Sequence, residues 1–296
     1  MNTYISCFIM TVSFNIPVMN TFSSSINDTT SNLDGLGEHA IVTNSETFPY
    51  MVAILKKSVY ISAGALIDQS WVLTGADSLF MIRETTRFIR VRLGSVNYKE
   101  GGYVTGIKFF EIHPYFDDSK PLFDVALIKL PEPVRMTPSL NPIRLQKRYR
   151  DVIPTHFTVT AWPRRGRNTS GHKESLEDIK RRRLLSVTHL HPLDSEQCSD
   201  DLDTWVPDFN NKKLIMCLEP PINGDPCERD IGAPVVLNGI LWGVISSWKS
   251  EDCDVDGDSI FMSLVSAVEI SSWIHSTIHA HRWTKKHTID YDDNFI

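Results

Sequence analysis

The residues able to carry chemistry fall into a few groups, and the cysteines come first. Cys198, Cys217, Cys227 and Cys253 all lie in the last third of the chain, while Cys7 stands alone near the start. Four cysteines form two disulfides in any of three pairings, which points to an oxidising compartment. Histidines form the second group. His189 and His191 alternate along an expected strand, and His279 and His281 lie in or just past an expected final helix. Pairs at such spacing fall short of the three or four ligands a metal site needs, so they read as surface histidines. No metal and no cofactor is expected. Basic clusters form a third group, at Arg164, Arg165 and Arg167 and at Lys180, Arg181, Arg182 and Arg183. Such runs read as solvated surface, with binding of a polyanion or carbohydrate as the sharper alternative.

These residues need elements to position them. From Ile41 onward, short apolar runs alternate with turn residues, as in Met51–Leu55, Trp71–Leu73, Phe88–Leu93, Val125–Leu130, Phe157–Trp162 and Leu241–Ile245. Many short segments broken by Gly, Pro, Asn and Asp favour an all-β sandwich or barrel over alternating βαβ units. Val265, Val268, Trp273, Ile274 and Ile278 recur near helical spacing and predict a C-terminal helix, followed by a frayed tail over 281–296.

Four segments in order then carry a resemblance. Ser62-Ala63-Gly64-Ala65-Leu66-Ile67 with Trp71-Val72-Leu73-Thr74-Gly75-Ala76-Asp77-Ser78, Phe123-Asp124-Val125-Ala126-Leu127-Ile128-Lys129-Leu130 after Ile112-His113-Pro114, Cys227-Glu228-Arg229-Asp230-Ile231-Gly232-Ala233-Pro234, and Ser246-Ser247-Trp248 with Cys253 are similar to the signature segments of the trypsin/chymotrypsin family. The resemblance covers about residues 41–278. It implies an all-β fold of two six-stranded antiparallel barrels with a cleft between them and a C-terminal helix. It also makes His113 a structural residue.

Chemistry in that family needs a hydroxyl nucleophile, an imidazole base and an orienting carboxylate. The resemblance assigns the base position to Asp77, the carboxylate to Asp124 and the nucleophile to Ile231. Isoleucine has no lone pair and cannot form an acyl intermediate. One oxyanion donor would come from the Ile231 backbone, and the other from Arg229 in place of a glycine. Ile41-Val42 resembles the processed N-terminus of active members, but His39-Ala40 precedes it where a basic residue is cut. Asp230 keeps the acid that such an N-terminus would meet.

The resemblance also implies a specificity pocket, with Asp225 where trypsin-like members carry the acid at its base and Trp248 on its wall. Lys249 replaces a wall glycine; either its side chain fills the pocket and pairs with Asp225, or it points to solvent and Asp225 is a turn residue before Pro226. The resemblance pairs Cys198 with Cys217 and Cys227 with Cys253. Two other family bridges are replaced jointly, one by Ser62 and Ser78 and one by Phe157 and Leu237.

The totals fit this reading. A net charge of −6 argues against a nucleic-acid partner, which needs a broadly positive surface. No apolar run reaches the length of a membrane span. Residues 1–25 include an apolar stretch that could serve as a signal peptide, although a basic n-region and a small-x-small site are missing. Residues 26–40 read as a flexible leader, 41–280 as the domain and 281–296 as a tail. Asn27 and Asn168 stand in glycosylation sequons. The expectation is a secreted, catalytically inactive homolog that binds a protease, a substrate or an inhibitor. The competing expectations are an active endopeptidase with catalytic residues elsewhere, and a polyanion binder. Against the first, no serine stands in a G-x-S-x-G setting, and His113 or His189 would have to enter the cleft.

Overall fold

The computed structural model describes residues 40–147, 155–163, 175–203, 205–207, 213–220, 231–246 and 259–287. They belong to one compact unit, Gly35–Ile296. The chain opens with a short strand β1 (Ala40–Ile41) and continues through β2 (Met51–Lys56), β3 (Val59–Asp68) and β4 (Trp71–Thr74). A one-turn helix α1 (Asp77–Phe80) precedes β5 (Ile89–Leu93), β6 (Tyr103–Gly106), β7 (Phe109–Ile112), β8 (Ala126–Lys129) and β9 (Arg144–Leu145). Beyond these lie β10 (Phe157–Ala161), α2 (Leu176–Arg181), β11 (Ser186–Leu190), α3 (Ser195–Asp203) and β12 (Ile215–Leu218). The last elements are β13 (Pro234–Leu237), β14 (Ile240–Ile245), β15 (Ile260–Leu264) and α4 (Val268–His287).

The strands form two antiparallel sheets. One runs β6-β5-β2-β3-β4-β8-β7, and its two edges, β6 and β7, are separated by only Ile107 and Lys108. A single bent segment therefore occupies both edges, and the sheet closes as six strands rather than seven. The other runs β1-β11-β10-β13-β14-β15-β12, with β9 parallel to β14. Its ends meet as well. Pro192 bridges Leu218, Leu193 N–H donates to Cys217 O at 2.9 Å and Glu219 N–H donates to His191 O at 2.8 Å. Without the two-residue strands β1 and β9, this sheet also has six strands. Closure removes the unpaired edges that an open sheet exposes.

The apolar runs are continuous because the strands of the first barrel are buried on both faces. Successive side chains on a strand alternate between faces. Val52 and Ile54 of β2 accordingly join Leu66, Val72, Val91, Leu93 and Ile128 in one core. Met51, Ala53 and Leu55 join Ala63, Ala65, Trp71 and Leu73 in another, together with Phe157, Val159, Val235, Val244 and Phe261 from the second sheet. The second core therefore cements the two sheets. Each fully buried large aliphatic side chain contributes roughly 1.5–3 kcal/mol to holding this arrangement.

Helix α4 reaches further than the sequence pattern indicates. Ile270 and Ile274, one helical turn apart, are fully buried and anchor it. The helix then continues to His287, so the segment from His281 is not a frayed end in its first seven residues. The reason is tertiary. The His281 ring lies 4.6 Å from Phe109 and 5.6 Å from Trp71, its Nε2 meets Glu111 Oε1 at 2.7 Å, and Arg282 meets Asp68 at 2.6 Å. A disulfide joins Cys198 of α3 to Cys217 of β12.

Phe157 has no exposed surface and packs edge-on against Trp242, with centroids 5.4 Å apart. Phe157→Ala is expected to lower the unfolding free energy by about 4 kcal/mol in urea titration, with the cavity adding to the lost transfer energy.

Candidate functional site

The site is built where strand β4 ends. Thr74 closes the strand, Gly75 and Ala76 turn the chain, and Asp77 starts α1. Asp124 precedes β8, which pairs with β4, so the register Thr74↔Ala126 brings its carboxylate under the turn. One oxygen accepts the N–H of Ala76 at 2.5 Å and the N–H of Asp77 at 2.9 Å. Its other oxygen accepts the hydroxyl of Ser246, at the end of β14, at 2.7 Å. Asp124 is 1% exposed, and hydrogen bonds to charged acceptors are the strong kind that make such burial tolerable.

Ile231 and Gly232 approach from the second sheet. Ile231 O accepts the N–H of Ala63 at 3.0 Å and the hydroxyl of Ser62 at 3.0 Å. Gly232 has φ +70°, a left-handed conformation that side chains resist. A Cβ there would also lie 2.4 Å from Thr74 Oγ1 and 2.5 Å from Ala63 O. The same closeness shows at Gly75, where a Cβ would sit 3.4 Å from Asp124 Oδ1 and 3.5 Å from Gly232 Cα. Asp124, the Asp77 backbone and the Ile231–Gly232 turn therefore surround one spot. That spot contains an oriented carboxylate, and the residue at the adjoining turn, Ile231, has a hydrocarbon side chain.

Ser246 and Thr74 are participants that sequence reading did not assign a role, and Ser62 entered it only as a replaced bridge position. Ser62 Oγ bonds Thr74 Oγ1 at 3.0 Å as well as Ile231 O, and Ser62 is fully buried. Ser78, its expected counterpart, instead meets Gly75 O at 3.4 Å. A hydroxyl inside an apolar strand was the available signal, since such groups are buried only with partners.

Other expected residues lie elsewhere. His113 is 2% exposed and stacks on Phe123 at 4.7 Å with Trp273 at 5.0 Å. Burial lowers its pKa, opposed by Glu269. His189 faces His156 on the second barrel. Lys180 and Arg181 at the end of α2 are exposed, while Arg182 and Arg183 are half-buried. Ile41 pairs with Ser186 through β1, and Val42 N–H donates to Leu185 O at 2.8 Å, so this segment forms the margin of the second sheet. Asp225, Lys249, Trp248, Cys227, Cys253, Arg229, Asp230, Arg164, Arg165, Arg167, Asn27 and Asn168 lie outside the described residues.

Two closed antiparallel barrels that meet beside a buried aspartate define the chymotrypsin-like class of fold. A family model described as Trypsin matches residues 37–274, and the chain belongs to this trypsin family. It is 29% identical over 246 residues to a trypsin of Sarcophaga bullata, covering 83% of this chain and 90% of that protein. Hypodermin-A of Hypoderma lineatum is 25% identical, covering 72% and 77% respectively. Among solved structures, mouse neuropsin superposes with a TM-score of 0.64 over 81% of this chain and 99% of its own, at 18% identity, which supports the fold alone.

Two outcomes follow from this geometry. Gly232→Ala should lower stability by about 3 kcal/mol in denaturant titration, because strain and overlap add. His113 has a folded pKa below its unfolded value, so the unfolded chain binds more protons near that value. Stability should therefore fall as pH drops below about 6.5, and His113→Gln should flatten that slope.

Proposed function

We propose that this trypsin-family chain is a secreted homolog that does not cleave peptides and uses its cleft and loops to bind a protein partner. The observation that carries this reading is the pairing of an intact Asp124 cradle with Ile231 at the adjoining turn. The carboxylate is oriented by Ala76, Asp77 and Ser246, yet the neighbouring side chain has neither a proton to lose nor a lone pair to attack with. Acyl transfer requires both a nucleophile and a base beside it. Aspartate at 77 provides a carboxylate, not the imidazole that matches a serine hydroxyl near neutral pH.

Two further observations support the same reading. His113 is held in an aromatic pocket with Phe123 and Trp273, and His189 lies on the β10–β11 ribbon, so neither imidazole packs in the Asp124 cradle. The Ile41–Val42 segment is engaged by β11 and Leu185, consistent with a chain that needs no cleavage to reach its working form. The Cys198–Cys217 disulfide suits an oxidising, extracellular setting.

The test is chemical. The purified chain should remain unlabelled by a fluorophosphonate probe and should not hydrolyse arginyl or aromatic p-nitroanilides above the uncatalysed rate. Stoichiometric labelling of the wild type would overturn the proposal. The Asp77→His, Ile231→Ser double variant, checked for an unchanged melting curve, should gain probe labelling if the cradle still orients an imidazole.

A further inference from the structure

We infer that the outer face of the second barrel carries a binding site for a divalent transition metal of the zinc class, formed by His156, His189 and His191. The argument starts from register. Phe157 pairs with Leu190 and Thr158 with His189 in the antiparallel β10–β11 ribbon. The next pair outward sets His156 opposite His191. Cross-strand partners share a face, and alternate residues on one strand share a face. Phe157 and Leu190 point into the core at 0% and 5% exposure, so His156, Thr158, His189 and His191 share the opposite face. His156 is exposed there, and His189 and His191 are half-buried. Three imidazoles thus occupy adjoining positions on two strands, one of them supplied from the far side of the ribbon.

Each ring has its Nδ1 engaged by a nearby threonine. His191 Nδ1 meets the carbonyl oxygen of Thr155. His156 Nδ1 pairs with Thr155 Oγ1 at 3.2 Å, and His189 Nδ1 pairs with Thr158 Oγ1 at 3.4 Å. Metal-bound histidines commonly anchor their second nitrogen in this way, which fixes ring orientation and the donor atom.

Spacing agrees. The His156 and His189 ring centroids are 5.5 Å apart, with planes at 90°. A tetrahedral zinc about 2 Å from each ligand nitrogen holds two imidazole centroids about 5 Å apart. Beyond His191, the pairing of Pro192 with Leu218 sets the exposed Glu219 opposite it, adding a negative charge beside the site. No three ligand side chains among the described residues yet converge on one point. Metal binding therefore requires the half-buried His191 ring to give up its Nδ1 contact with Thr155 O and swing toward the His156–His189 pair. Three protein ligands leave a coordination position for water.

The test uses the full, disulfide-intact chain after EDTA treatment. Titration with Zn2+ by calorimetry should give one ion per chain with micromolar affinity, and Co2+ should develop the intense visible bands of a tetrahedral site. His156→Ala, His189→Ala and His191→Ala should each weaken binding at least about tenfold, and His279→Ala should leave it unchanged. Imidazole NMR of the wild type supplies a readout independent of any variant's folding, since Zn2+ should shift these three rings together. Absence of binding at millimolar Zn2+, binding indifferent to these substitutions, or loss at His156 and His189 without loss at His191 would overturn the assignment.

Discussion

The carboxylate of Asp124 is the constraint on which the centre of this molecule depends. It is almost wholly withdrawn from solvent, and an uncompensated carboxylate there would be strongly destabilising. Its partners come from both barrels, the N–H groups of Ala76 and Asp77 from the first and the Ser246 hydroxyl from the second. Satisfying one aspartate therefore fixes the β4–α1 turn and the end of β14 relative to each other. The requirement is therefore structural, whatever chemistry the site performs.

A second set of contacts reinforces that junction without using charge. Gly232 lies so close to Thr74, Ala63 and Ser62 that no side chain fits, and Ser62 links strand β3 to the Ile231 carbonyl. Around them, one face of β2, β3 and β4 packs against β10, β13, β14 and β15 in a shared apolar core. Where a family bridge is expected at Phe157 and Leu237, the register sets the two opposite each other, and Phe157 packs on Trp242. Aromatic burial of this size is comparable to what a disulfide of moderate loop length contributes, about 3 kcal/mol.

The two ends of the second barrel serve different purposes in this picture. One end turns toward Asp124 and carries the site on which the family's chemistry is built. Its lateral face, at the start of β10 and the end of β11, carries three imidazoles with their Nδ1 atoms engaged locally. The two regions need not be coupled. A scaffold held rigid by closure of both sheets can support unrelated surfaces, because function resides in particular side chains and not in the fold itself.

Much was legible in the sequence. The order of apolar runs and turn residues, together with the motif-like segments around Asp77, Asp124 and Ile231, indicated the all-β fold and the strands that carry the site. The reason is local: apolar patterning and turn chemistry are written in neighbouring residues. The extent of α4 was not legible, because its last turns are held by Trp71, Phe109 and Glu111, 170 or more residues away in the chain. Nor was the part played by Ser246, whose partner lies 122 residues away. His189 and His191 read as an isolated pair until strand register placed His156 beside them. Residues distant in sequence become neighbours only through pairing and packing, so which groups share a site was decided by the tertiary structure. That Ile231 offers no nucleophile was settled by the sequence alone, because a hydrocarbon side chain lacks the atom whatever the fold around it.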